Sequence, residues 1–311
     1  MIRFATLVLA AAIAAAGAFP ARAAVDVFAC EPEWAALATD IGGDRVEAFA
    51  ATTVMQDPHH IRARPSLIAR IRRADLLFCS GAGLEIGWLP VLLQRGAPAG
   101  VQPGRPGHLM AAEHVALLDK PAVLDRAQGD LHPEGNPHLH LDPRNLVTLA
   151  GVVAERLALL DPEGKAYYAA RAEAFRATWN RAIAEWQTRA RVFRDMPVIV
   201  QHKAWSYLVA WLELKEVAAL EPKPGLPPTA SHLESLLRLT RAQNVAAIFR
   251  APYDSPQASE WLSSRAKIPA LTLPYTVGAD TRDGQGARTL HEVFERTVTL
   301  LETAAKRKAQ P

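Results

Sequence analysis

Residues 161–193 read DPEGKAYYAARAEAFRATWNRAIAEWQTRARVF, and this stretch decides the fold. Asp161-Pro162 starts it, no Pro or Gly interrupts it between 165 and 193, and Tyr168, Ala172, Phe175, Trp179, Ile183, Trp186, Ala190 and Phe193 recur every three or four positions. That period places one apolar stripe along an α-helix of about 30 residues, roughly 45 Å long at 1.5 Å per residue. A helix so far above the globular mean can span two domains. Upstream, Asp142-Pro143 opens another helix of about 17 residues, so 143–193 reads as a helical region containing an interlobe linker.

On either side of this region the pattern changes. Short apolar runs at 25–30, 46–50, 74–79 and 114–118 alternate with helical patterns, and runs at 197–202, 245–250 and 269–273 repeat the style after the linker. Strand and helix in alternation imply parallel sheets flanked by helices. The expected fold is α/β: two Rossmann-like lobes with parallel sheets, 24–142 and 194–311, joined by one long rigid helix. A helix from about Ala287 to Lys306 closes the chain. Residues 221–230 form a Pro-rich surface loop, and Thr229 or Ser231 is placed to cap the helix after it.

The chain has 311 residues, half of them hydrophobic and 22% charged, with two Cys, which excludes collagen-like, disulfide-dense and disordered classes. The formal net charge is +3, and residues 1–23 hold Arg3 and Arg22 with no acid, leaving +1 beyond them. No basic excess remains to neutralise phosphates, which argues against nucleic acid as partner. Those first 23 residues combine Arg3, an apolar run from Phe4 to Phe19 and the small-x-small site Ala21-Arg22-Ala23. They read as a removed signal peptide, leaving an exported, periplasmic protein without stable membrane insertion. Export permits a disulfide between Cys30 and Cys79, each closing an apolar run, and two buried free thiols is the equal alternative.

The ten His stand at 59, 60, 108, 114, 132, 138, 140, 202, 232 and 291, half of them within 108–140. Neutral imidazole is a common zinc ligand, so position has to separate ligands from tolerated surface residues. His59 lies in the breaker-rich loop Gln56-Asp57-Pro58-His59-His60 after the run at 46–50. His138 lies in Gly135-Asn136-Pro137-His138-Leu139-His140, just before a helix, and His202 closes the run Val198–His202. Open α/β sheets bind ligands beyond the carboxyl ends of their strands, where all three can face one crevice. His60 and His140 are accessory candidates beside them, and Asp57 and Asn136 are candidates to orient the rings or to serve only as turn residues. His108, His114 and His132 read as surface-loop residues, His232 and His291 as structural.

Taken in order, these elements resemble the zinc- and manganese-specific solute-binding proteins of bacterial ABC importers. The resemblance covers essentially the whole chain after the leader. It rests on Asp57-Pro58-His59 with Arg64-Pro65-Ser66, Ala74-Asp75-Leu76 leading to Ser80-Gly81-Ala82-Gly83-Leu84-Glu85 and Trp88-Leu89, Asn136-Pro137-His138 with Leu141-Asp142-Pro143, and His202 before an aromatic-rich helix. It implies a metal held between two lobes by His59, His138 and His202. The family's fourth ligand is a carboxylate near the C-terminus; at that place stand Pro274 and Thr276, and Asp280 in the following loop is the candidate, with water as the alternative. Three imidazoles favour Zn2+ over manganese, which prefers oxygen ligands. The implied partners are an inner-membrane ABC permease and, as a further candidate, a zinc metallochaperone.

Two other functions compete with capture and delivery. A zinc hydrolase needs an open metal position and a poised general base, for which Glu31, Glu85 and Asp254 are loose candidates without a motif. A surface adhesin of the same fold is the third, since fold alone does not set function. The absence of a motif and of any appended region favours a non-enzymatic binding protein.

Overall fold

The computed structural model describes residues 24–121, 132–279, 281 and 286–309; the leader 1–23 and Asp280 lie outside the described residues. The first lobe runs β1 (Val25–Ala29), α1 (Pro32–Gly42), β2 (Val46–Ala50), α2 (Pro65–Ile71), β3 (Leu76–Cys79), α3 (Leu89–Arg95) and β4 (His108–Met110). Its strands are all parallel, in the order β2-β1-β3-β4. Parallel strands are covered by helices on both faces, so β1 and β3 are buried along their whole length and read as continuous apolar runs.

Two helices follow, α4 (Pro143–Leu160) and α5 (Lys165–Ala190). Asp142 starts α4 by accepting the Arg144 backbone N–H at 2.9 Å, with Pro143 in the first turn where no N–H is needed. The 26 residues of α5, extended by single 3₁₀ turns at Pro162–Gly164 and Arg191–Phe193, bury Tyr168, Phe175, Trp179, Ile183, Trp186 and Phe193. At the corner between the two helices Asp161 Oδ2 accepts from Arg45 Nε (2.8 Å) and Nη2 (2.6 Å) and from the Tyr168 hydroxyl (2.7 Å). That knot ties the linker to the start of β2.

The second lobe repeats the first: β5 (Pro197–Val200), α6 (Ser206–Trp211), β6 (Lys215–Ala219), α7 (Ala230–Ala242), β7 (Ala247–Arg250), α8 (Pro256–Ala266) and β8 (Ala270–Thr272). The strands are again parallel, in the order β6-β5-β7-β8. Thr229 caps α7 by accepting the His232 N–H at 3.3 Å. The last helix, α9 (Leu290–Ala309), lies on α5: Phe294 meets Trp179 and Trp186, and Arg189 reaches Glu295 and Glu302. One hydrophobic core runs from β1 and β3 through α4 and α5 to β5, β7 and α9. No described helix is long and apolar enough to cross a membrane.

Two strand expectations need correction. The fourth strand of the first lobe is His108–Met110, not 114–118, because the 3₁₀ turn Ala111–His114 carries the chain off the sheet edge. Val115, Leu117 and Leu118 still pack on the core, which explains the apolar run, and the Leu118 N–H donates across to the Tyr207 hydroxyl at 3.1 Å. The edge strand β6 escapes a sequence reading because Lys215-Glu216-Val217-Ala218-Ala219 is half-exposed and has a single β-branched residue. The alternatives for the cysteines resolve to a Cys30–Cys79 disulfide, which joins the carboxyl ends of the paired strands β1 and β3.

Candidate metal centre

Three turns of one kind set up the cleft. Asp57, Asn136 and Asp142 each precede a Pro, and each Oδ1 accepts the backbone N–H two residues on: His59 at 3.0 Å, His138 at 3.0 Å and Arg144 at 2.9 Å. Such turns are the ordinary chemistry of Asx side chains, and here they fix the backbone directions of His59 and His138. Asn136 does more. Its Nδ2 donates to the Lys203 carbonyl (2.8 Å), Asp119 Oδ2 (3.1 Å) and Ser206 Oγ (3.3 Å), locking the loop of one lobe to the start of α6 in the other. The Trp88 indole N–H pins the other loop through the Pro58 carbonyl at 2.9 Å.

The structure brings His59, His138 and His202 together. Ring centroids lie 5.3 Å apart for His59 and His138, 5.4 Å for His59 and His202, and 5.7 Å for His138 and His202. It also brings in His132, which the sequence reading left on the surface: its ring is 5.2 Å from that of His59 and 6.1 Å from that of His138. A turn closed by the Gly135 N–H on the His132 carbonyl (3.1 Å) folds His132 back beside His138. Ligand nitrogens of His59, His132 and His138 all lie within 4.8 Å of one another. The Nε2 atoms of His59 and His132 are 3.2 Å apart, close to the roughly 3.3 Å expected for two nitrogens sharing one tetrahedral zinc at 2.0–2.1 Å. A cavity of about 260 Å³ opens over the cluster, lined in part by His132, His138, His202 and Asn136.

Three of the four rings share one rule of orientation: each commits its Nδ1 to an acceptor. His59 Nδ1 lies 2.6 Å from Asp57 Oδ1, His138 Nδ1 2.6 Å from the Tyr275 hydroxyl, and His202 Nδ1 2.7 Å from Glu221 Oε2. The Ala82 carbonyl lies beside His132 and favours its protonated form. The second nitrogens are left for a cation, and that of His138, buried at 1% exposure, has no other partner. A carboxylate behind a ligating imidazole sets the tautomer and raises its basicity.

Electrostatics follow the same division. Burial, then the neighbouring His59 and His202, lowers His138 well below the ordinary imidazole value and His132 to about 4. Burial also opposes charge on His202, but the hydrogen bond and charge of Glu221 outweigh it and raise this ring. Asp57 is held at about 2 because the His59 contacts overcome its burial. An uncharged pair of rings beside two carboxylate-backed ones suits a divalent cation.

The remaining candidates lie elsewhere. His140 does not join the cluster: its Nε2 donates to the Tyr275 carbonyl (3.0 Å), its Nδ1 faces Glu33 Oε1 (3.2 Å), and its ring meets Trp34 and Tyr275. It holds the segment carrying Tyr275. His60 is exposed. His291 stacks among Trp179 and Trp186, and His232 and His108 bond the backbone carbonyls of Ala219 and Val101. Within 271–280, where a carboxylate ligand was expected, Tyr275 supports His138 and Thr276 donates to Glu33 at 2.5 Å. The general-base candidates are engaged elsewhere, Glu31 and Glu85 around Ser80 and Asp254 on the Ala251 N–H.

Two α/β lobes with imidazoles converging at the carboxyl ends of their sheets define the class: a two-lobed α/β protein with a nitrogen-rich cleft. The chain belongs to the family described as zinc-uptake complex component A, periplasmic, which it matches over residues 27–304. It is 22% identical over 269 residues to the zinc-binding lipoprotein AdcA of Streptococcus pneumoniae, covering 84% of this chain and 52% of that one. With the manganese ABC transporter substrate-binding lipoprotein PsaA of the same species it shares 21% over 246 residues, 76% of this chain and 75% of the other. The chain spans about half the length of the first relatives it matches. Among solved structures, that of ZnuA superposes with a TM-score of 0.73 at 21% identity, over 91% of this chain and 98% of the other. FpvC of P. aeruginosa, solved with Ni2+, gives 0.72 at 21%, over 93% and 99%.

Proposed function

We propose that this protein captures Zn2+ outside the cytoplasm and delivers it to the permease of an ABC importer, without chemistry on the ion. The ligands are His59, His132, His138 and His202 through their uncommitted nitrogens. The observation that carries this reading is the convergence of four rings from three separate stretches of the chain, three of them with Nδ1 already bonded. Support comes from the family, and from relatives named for zinc or manganese binding. Four nitrogens complete a tetrahedral shell and leave no position for an activated water, which weighs against a hydrolase. They also disfavour manganese, whose sites are rich in oxygen.

Equilibrium dialysis against Zn2+ with elemental analysis tests the assignment. Wild type retains one zinc; His59→Ala, His132→Ala, His138→Ala and His202→Ala each weaken it, and His140→Ala does not. Retention of one tightly held zinc by all four ligand variants would overturn the proposal.

A further inference from the structure

The fourth imidazole is held unlike the other three. Side chains fix His59, His138 and His202, whereas His132 faces the backbone of the turn at Ala82 and Gly83, and so depends on whatever shapes that turn. With His132 Nε2 facing His59, the nitrogen on the turn's side is Nδ1; a Cβ placed on Gly83 would lie 3.8 Å from it. This turn is unusual. Gly81, Ala82 and Gly83 have φ of 77°, 50° and 82°, three successive left-handed residues, and for Ala82 that conformation costs roughly 1–2 kcal/mol.

Something outside the turn therefore has to hold it, and Glu85 does so. Its carboxylate accepts the backbone N–H of Ser80 at 2.8 Å and of Gly81 at 3.1 Å, and the Leu84 N–H closes the turn on the Gly81 carbonyl at 3.1 Å. Behind it, Glu31 hydrogen-bonds Glu85, and the Ser80 hydroxyl donates to Glu31 at 3.3 Å while accepting the Trp34 indole N–H at 2.9 Å. Glu31 and Glu85 are 2% and 3% exposed. Burial raises Glu31 well above the carboxylate range and Glu85 to about 7. Burying two carboxyls is costly, and their hydrogen bonds go to this one turn rather than to the rings of the cleft.

We propose that Glu85 is a positioning residue for the fourth nitrogen: by tying down Ser80 and Gly81 it aims the Ala82 carbonyl at His132 Nδ1, frees His132 Nε2 for the cation and makes the cleft a four-nitrogen site that discriminates against manganese. This rests on the four-imidazole reading above. Outer partners of a ligating His are typically worth about 10–100-fold in metal affinity, and that is the range expected here.

The test compares wild type, His132→Ala, Glu85→Ala, Glu85→Gln and the double variant His132→Ala/Glu85→Ala. Zn2+ and Mn2+ affinities are measured by chelator competition, and Co2+ alone serves as a visible-absorption probe of the ligand set. His132→Ala is expected to weaken zinc by about 10–100-fold, narrow the preference over manganese and alter the cobalt bands. Glu85→Ala reproduces all three effects. In Glu85→Gln the amide oxygen still accepts the Ser80 N–H, so affinity stays within about threefold of wild type. Adding Glu85→Ala to His132→Ala changes zinc affinity by less than about twofold, as coupling through one ring requires.

If His132→Ala binds zinc like wild type, the four-imidazole reading falls and this inference with it. If His132→Ala is weakened while Glu85→Ala is not, or if the two losses multiply, the positioning role is refuted and the ligand set stands. Should Glu85→Ala fail to fold, Glu85→Asp keeps the charge but draws the carboxylate back from the Ser80 and Gly81 N–H groups. The same criteria then apply: a several-fold loss of affinity that vanishes in the His132→Ala background supports the role, and an unchanged affinity overturns it.

Discussion

Tyr275→Phe removes one oxygen from the cleft and leaves the backbone intact. In the protein as it stands, the Tyr275 hydroxyl lies 2.6 Å from His138 Nδ1, while its carbonyl independently accepts from His140 Nε2. A cation on His138 Nε2 obliges Nδ1 to carry the hydrogen and donate it to the tyrosine oxygen. The bond exists with or without metal, so only its strengthening on metal binding enters the affinity. A neutral hydrogen bond is worth about 0.5–1.5 kcal/mol and one to a charged group about 1.5–3, so the difference is about 1–2 kcal/mol. At 1.4 kcal/mol per decade, the dissociation constant for zinc should rise by about 5–30-fold. Tyr253, whose ring packs edge-on against Tyr275, is beside the lost hydroxyl in both states, so any effect there, of about 1 kcal/mol, falls on stability and not on affinity. Chelator competition measures the first effect and denaturant unfolding of the metal-free protein the second. A Tyr275→Phe protein that unfolds like wild type and binds zinc within about twofold of it would show that this hydroxyl does not orient a ligand.

Zinc affinity should depend on pH chiefly through His202. Glu221 raises that ring above 6.5, so the metal-free protein binds a proton there that zinc must displace; affinity rises with pH through this range, and His132, at about 4, and His138 are already neutral. Glu221→Gln should move the pH of half-retention to more acid values, and an unmoved midpoint in a dialysis series would contradict the assignment. Opening the Cys30–Cys79 bond, which closes a loop of 49 residues, should cost about 4 kcal/mol of unfolding free energy on the chain-entropy model, read from urea curves of a Cys30→Ala/Cys79→Ala protein. A loss below about 1 kcal/mol would mean that native packing alone constrains those strands. Removing the metal should change the radius of gyration by less than about 1 Å in small-angle scattering, since the helical linker leaves no hinge for wide closure.

Much of this was legible in the sequence because it is locally encoded. The stripe from Tyr168 to Phe193 predicts α5 by its period, β2 is where the run at 46–50 puts it, and Thr229 caps as its type suggests. His59 and His138 stand out because an Asx-Pro turn before each sets its direction, and His202 because it follows a buried strand. What escaped depends on contacts distant in the chain. His132, six residues before His138, reaches the cleft by a chain reversal after it, and its signal was only the Pro133-Glu134-Gly135 turn between the two. Tyr275 lies 137 residues from the ring it supports, and Glu221 is 19 from His202 at the end of a strand too polar to notice. Of the stretch expected to carry a fourth carboxylate, the described residues contribute a phenol, and Asp280 lies outside them.

The core that runs through both sheets, alongside a smaller cluster on the outer face of each lobe, bears on how this molecule comes apart. Its lobes are separate in topology yet share one interior, in which Phe294 from the end of the chain packs against Trp179 and Trp186 midway along it. Neither half can shed the other without exposing that interior, so the unfolding of one lobe is expected to destabilise the other. Losing the chain's last helix would therefore bare the aromatic face of the linker and loosen the frame that carries the cleft, without touching the imidazoles themselves.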